Sequence, residues 1–458
     1  MRLLQIAPLL VLAAALFACS SSDEPAATPT APANTATAQP TATSTPTPLP
    51  TPTPVRPAAQ PFPDTLKQSS DAVFEQIAAA RGVAIKAPVD MFILTREQAR
   101  AFYTSTGGVT GSSGESSPGG NTGPPLNIQQ EVYDVLGLIP ERKPPQSSGQ
   151  AAPPTLQESQ VDNLISLITG FYSPELNALY LVESATGSRS TIVHELTHAL
   201  QYQYADIPKI ERQRANDWDA TTALLDVLEG DAVNTEIQLL GFSTRQSYRQ
   251  PVCFTIPAPQ RAGTPYVVER ELDTWYEDGL CFVQALAGQR GFEALFADLP
   301  TTTEQILHPE KYLAGEGRIP VTLPSLTPAL GSEWRRASGS TFGEFMLQNV
   351  LLTGLKTQRG LVQSAAAGWG GDAWSLYVNG DGRLLQTDIT WDTPEDAAEF
   401  WSALLTSLVA QGATPPPAEA PAFEVTVGTT TWRGVLSGST TKLIVSNDAA
   451  AAQKVVLP

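Results

Sequence analysis

A stretch of about fifteen residues, 190–204, constrains this chain more than any other. Ile192, Val193, Leu196, Ala199 and Leu200 are apolar, Thr197 is uncharged, and no proline interrupts them. The pattern predicts a helix that starts at Ser190 or Thr191 and lies inside the fold. Yet this helix also carries His194, Glu195 and His198, which include two of only three histidines in 458 residues. Burying two imidazoles and a carboxyl group is costly unless partners satisfy them. Positions i and i+4 share a helix face, so both imidazoles can reach one metal ion. Glu195 stands about 100° round the helix, where it can lean over the open side of that metal. A bare HExxH also arises by chance as a polar patch on a surface helix, but the apolar flanks here argue against that reading.

A catalytic zinc needs a third protein ligand and one open position. The best candidate is Glu229, on a second long helix marked by Trp218, Ala223, Leu224, Val227, Leu228, Ala232, Ile237, Leu239 and Leu240. Those residues populate more than one face, which predicts burial deep in the fold. Gly230 and Ala232 are small and permit close helix approach beside a metal. Asp226, Asp231 and Glu211 are rivals for the third ligand. Glu236, two turns after Glu229, can accept an N–H from a ligating histidine. The third histidine, His308, precedes Pro309. His308, Tyr312 or Tyr276 could donate a hydrogen bond to a developing oxyanion. For His308 a surface-loop position before a proline is the favoured reading over catalysis, and a metal-ligand role with Glu229 behind it is a further alternative.

The N-terminus reads as an export signal. Arg2 is followed by an apolar run, 3–16, that is too short to span a membrane stably. It ends at Leu16-Phe17-Ala18-Cys19, which resembles the bacterial lipobox. That resemblance implies a signal over 1–18 and a lipid on Cys19, anchoring the exported protein to a membrane. An ordinary cleavable signal is the alternative. Residues 19–63, rich in Pro, Thr and Ala, cannot bury enough surface to fold and are expected to act as a tether. Cys253 and Cys281 remain, an even number in an exported chain, so either a disulfide or two separate thiols is expected. A formal charge of −18 and a pI near 4.6 argue against nucleic acid or anionic lipid as partners.

The remaining segments predict an α+β fold. Helices are expected at 64–81 and 128–138, a strand at 89–94, and a capping box at Thr95–Gln98 opening another helix. Residues 105–125 and 143–154 read as Gly/Ser/Pro-rich loops. A strand hairpin is expected over 168–183, just before the histidine-bearing helix, and a third core helix over 277–288. The tail gives a helix at 342–355, a hairpin around Asn379-Gly380-Asp381-Gly382, a helix at 394–408 and three short strands at 423–427, 431–436 and 441–445.

With His194-Glu195-Leu196-Thr197-His198-Ala199-Leu200-Gln201 and Glu229-Gly230-Asp231-Ala232, the chain resembles the zincin metallopeptidases, gluzincin type. More narrowly it resembles uncharacterised bacterial HExxH lipoproteins. They share Gly170-Phe171-Tyr172, a Tyr-x-x-Gly-x-x-Phe-Val pattern fitting Tyr276, Gly279, Phe282 and Val283, and a Gly-Trp-x-Gly-Asp pattern at Gly368–Asp372. The resemblance implies a zincin-like catalytic domain over 64–340, with an edge-strand hairpin able to pair with a peptide, and a C-terminal α+β subdomain over 341–458. It implies Zn²⁺ on His194, His198 and Glu229, Glu195 as general base, and a peptide or protein substrate outside the cytoplasm. Val233 stands where thermolysin-like enzymes place an acidic residue, four beyond the ligand. A non-catalytic envelope lipoprotein with a structural or degenerate zinc site, closed by a fourth side chain, is the main alternative. A zinc amidase acting on cell-wall peptides would share the chemistry.

Overall fold

The computed structural model describes residues 58–106, 126–140, 168–241, 253–261, 264–287, 291–417 and 420–458. The expected signal, Cys19, most of the tether and nearly all of the two Gly/Ser/Pro-rich stretches lie outside these residues.

The fold is α+β with two sheets. Strands β1 (Gln60–Pro61), β2 (Asp90–Leu94), β3 (Gly170–Ser173) and β4 (Ala178–Val182) form the first, in the order β1-β2-β4-β3. The β2–β4 pair is parallel and the other two are antiparallel. Gln60 and Pro61 therefore belong to the fold, although composition places them in the tether. Strands β5 (Arg335–Ser340), β6 (Trp369–Asn379), β7 (Gly382–Trp391), β8 (Ala422–Val427), β9 (Thr430–Ser437) and β10 (Thr440–Ser446) form the second. Its order is β5-β6-β7-β10-β9-β8, antiparallel throughout.

The helices follow from local chemistry. Helix α1 (Asp64–Arg81) ends where Gly82 turns left-handed at φ 69°. Thr95 and Gln98 exchange hydrogen bonds to open α2 (Arg96–Thr106). Asn127 caps α3 (Ile128–Leu136), which Gly137 closes. Ser188 caps α4 (Arg189–Tyr204), the histidine-bearing helix, two residues earlier than the sequence suggests. After α5 (Ile207–Arg214), Asp217 caps α6 (Trp218–Leu240), the Glu229 helix. Helix α7 (Tyr266–Asp273) runs through a π-helical turn, Thr274–Asp278, into α8 (Gly279–Ala287). Short helices α9 (Phe292–Ala297), α10 (Thr303–Leu307), α11 (Pro309–Ala314) and α12 (Thr327–Leu330) lead to the second sheet. That sheet carries α13 (Gly343–Leu355), α14 (Arg359–Ala366), α15 (Pro394–Ala410) and α16 (Ala449–Lys454).

Two buried clusters dominate the core. One joins α1, the first sheet, α4, α6 and α8 through residues such as Ile77, Leu181, Leu196, Leu228 and Phe282. The other packs α13, α14 and α15 against the second sheet around Trp369, Trp374 and Trp391. Val132 and Tyr133 of α3 and Val267 of α7 lie in this second cluster, and Arg383 pairs with Glu131 at 2.5 Å. Segments expected to form the catalytic unit thus complete the core of the second sheet, which itself begins at Arg335. The Gly368–Asp372 motif has a structural use here. The Asp372 carboxylate accepts from the backbone N–H groups of Phe342 and Gly343 and from the Trp369 indole, which fixes the start of α13 against β6.

Candidate metal centre

Helix α4 lies against α6, and this pairing brings His194, His198 and Glu229 together. One ligand atom from each lies within 4.8 Å of the others, and all three side chains are about 1% exposed. His194 Nε2 is 3.0 Å from Glu229 Oε2, and His198 Nε2 is 3.6 Å from Glu229 Oε1. Close approach of the neighbouring helices depends on two glycines. A Cβ on Gly230 would sit 2.1 Å from the Gly279 carbonyl carbon, and one on Gly279 would sit 2.0 Å from the Asp226 carbonyl oxygen. This gives Gly279, in the Tyr-x-x-Gly-x-x-Phe-Val pattern, a packing role, with Phe282 and Val283 in the same core.

Each imidazole is oriented from behind. His194 Nδ1 meets Glu236 Oε1 at 2.7 Å, and the other Glu236 oxygen accepts from the Ser190 hydroxyl. His198 Nδ1 meets Gln201 Oε1 at 2.9 Å. Glu236, seven residues beyond Glu229, is therefore the carboxylate that holds the His194 ring. With both Nδ1 atoms engaged, both Nε2 atoms face the Glu229 carboxylate. His198 Nε2 is buried with no hydrogen-bond partner, 3.6 Å from Glu229 Oε1, an unsatisfied ring nitrogen of the kind a metal would satisfy. Two imidazole nitrogens and one carboxylate are a zinc donor set. Among the described residues no fourth side chain joins the cluster.

Burial pushes the His194 pKa down, but hydrogen bonds and charge from Glu229 and Glu236 outweigh it and raise it to about 9. Burial and the neighbouring His194 push His198 down, but Glu229, with a smaller contribution from Glu195, raises it. Burial pushes Glu229 up, yet His198 and His194 pull it down to about 2. Without a cation the cluster therefore holds its proton charge on imidazole, which is what a divalent ion would displace.

Glu195 is fully buried. Its Oε2 accepts the Tyr172 backbone N–H at 2.9 Å, while Oε1 has no hydrogen-bond partner. Burial raises its pKa well above the usual carboxylate range, partly offset by His198. Tyr172 lies on β3, the edge strand, but all four β3 residues are buried and this outward N–H is taken by Glu195.

The other sequence candidates separate clearly. The Tyr276 ring, on the π-helical turn, lies 6.1 Å from the His194 ring. His308 is not part of the cluster: its Nε2 pairs with Glu344 at 3.0 Å and its Nδ1 lies 3.6 Å from Glu310. Tyr312 donates to the Asp298 carbonyl at 2.5 Å. Of the rival ligands, Glu211 accepts from Tyr202, Asp231 accepts from Gln201 and forms an ion pair with Arg81, and Asp226 is buried with neither oxygen bonded. Cys253 and Cys281 form a disulfide with Cα atoms 5.6 Å apart, tying the chain before α7 to α8. Gln201 went unnoticed as a histidine partner, although its place three residues after His198 puts both on one helix face.

Residues 332–456, from just before β5 to the C-terminal helix, match the family model described as Domain of unknown function (DUF8575). No curated protein and no solved structure matches the chain.

Proposed function

We propose that this protein is a zinc-dependent peptidase, tethered outside the cytoplasm through a lipid on Cys19. The observation that carries the reading is the convergence of His194 Nε2, His198 Nε2 and the Glu229 carboxylate, with no fourth side chain among the described residues. On this reading the histidine-bearing helix, the Glu229 helix and the edge-strand hairpin form a zincin-like arrangement. His194, His198 and Glu229 would hold the ion. A zinc ion bound there polarises a carbonyl and brings the pKa of a coordinated water toward neutrality.

The chain's own residues do the rest. Glu195 takes a proton from the attacking water and passes it to the leaving amine. Its Oε1, free of other partners, is the atom for that transfer, while the Tyr172 N–H holds Oε2 still. Tyr276, whose ring lies 6.1 Å from that of His194, is the donor proposed for charge developing on the carbonyl oxygen.

A second reading has its own support. The ligands and Glu195 are 0–1% exposed, and a peptide needs a path to them. Such burial favours an envelope lipoprotein whose zinc site is structural. Digestion of a peptide library by the zinc-loaded protein separates the two. Cleavage that stops with a chelator and returns with zinc supports the peptidase; a fully loaded protein that cleaves nothing supports the structural site.

A further inference from the structure

We infer that Gln201, Asp231 and Arg81 form a positioning relay that fixes which ring nitrogen of His198 faces a metal. The inference rests on the metal-centre reading above and adds three residues to it.

A side-chain amide has a donor end and an acceptor end, so its orientation carries information. The Gln201 Nε2 donates to the Leu228 carbonyl and to Asp231 Oδ2, both at 2.9 Å. Both of those partners only accept. The amide oxygen must therefore face His198, and the His198 proton must sit on Nδ1, 2.9 Å away. In the neutral ring that a metal requires, the lone pair is then on Nε2, the unsatisfied atom that faces Glu229.

Asp231 is itself held. Its Oδ1 pairs with Arg81 at 2.5 Å, and the same guanidinium donates to the Asp231 carbonyl at 3.2 Å and to the Thr235 hydroxyl. Arg81 is the last residue of α1, and its guanidinium lies 5.3 Å from the centre of the Phe292 ring. Gln201 and Asp231 are fully buried, and the Arg81 side chain is 10% exposed. The relay thus ties a helix that contributes no ligand to one imidazole of the cluster. It also makes the two imidazoles unequal. His194 Nδ1 faces a carboxylate and His198 Nδ1 a neutral amide.

The test uses the full chain labelled with ¹⁵N-histidine, in which only three side chains report. In the zinc-loaded wild type, long-range ¹H–¹⁵N correlation should place the His198 proton on Nδ1. Asp231→Ala and Arg81→Met should each weaken zinc, measured by competition with a chromophoric chelator, by roughly tenfold to a hundredfold. In both variants His194 should keep its proton on Nδ1. A His198 proton on Nε2 in the wild type would overturn the relay. So would variants that lose thermal stability but keep the wild-type zinc Kd and His198 tautomer. If the wild type takes up no zinc, the metal-centre reading fails separately. The metal-free protein at pH 10 then still shows whether Nδ1 carries the His198 proton, and so decides the relay alone.

Discussion

The carboxylate of Glu195 accepts the backbone N–H of Tyr172 at 2.9 Å, joining the histidine-bearing helix to the edge of the first sheet. This one bond fixes the Glu195 carboxylate against β3, with Oε1 left unbonded. Glu195→Gln keeps an oxygen to accept the N–H but cannot take up a proton. The variant should fold, bind stoichiometric zinc by elemental analysis, and lose peptide cleavage by at least about a hundredfold. Cleavage at the wild-type rate with zinc in place would remove Glu195 from the mechanism.

Gly230 tests the packing beneath the ligands. With a Cβ only 2.1 Å from the Gly279 backbone, Gly230→Ala must push α6 and α8 apart, since backbone rather than a flexible side chain stands in the way. Overpacking of this kind costs about 1–3 kcal/mol. The denaturation midpoint should fall accordingly and zinc should bind more weakly, because Glu229 is the adjacent residue. An unchanged midpoint would mean that the two helices have room to spare.

The metal-free protein should be more stable at mildly acidic pH than at alkaline pH. Burial raises Asp219 and Glu271 to about 7, and Asp278 and Asp372 to about 6. Each binds its proton more tightly folded than unfolded, so its contribution is present at low pH and fades as pH rises through those values. His194, raised to about 9, has the same sign: its contribution is complete below its unfolded pKa and is lost toward pH 9. Glu229, held near 2, acts oppositely but only below the unfolded value of about 4.5. Melting of the chelator-treated protein should therefore occur at least about 3 °C higher at pH 5.5 than at pH 8.5. A melting temperature that rises over this interval would contradict the sign.

Much of this was legible in the sequence because strong local rules and burial agreed. The capping box at Thr95, the stop at Gly137 and the turn at 379–382 all act within a few residues. Glu236 as acceptor for a ligating histidine was legible for a related reason, since it lies two turns from Glu229 on one long helix; that the histidine is His194 comes from the packing of two helices. What was not legible depends on contacts between distant segments. Arg81 meets Asp231 across 150 positions, and nothing near Arg81 distinguishes it from any basic residue ending a helix. The short helices between 292 and 330 have weak periodicity and are held by tertiary packing. His308 misled because rarity made it conspicuous, whereas its partner Glu344 sits on α13 in the second unit.

Zinc K-edge X-ray absorption on the loaded wild type tests the central claim most directly. The account predicts two imidazole nitrogens at about 2.0–2.1 Å and oxygen ligands at about 2.0–2.2 Å, one of them from solvent, with the imidazole signal lost in His194→Ala. A shell built from four protein side chains, or a protein that acquires no zinc, would contradict it.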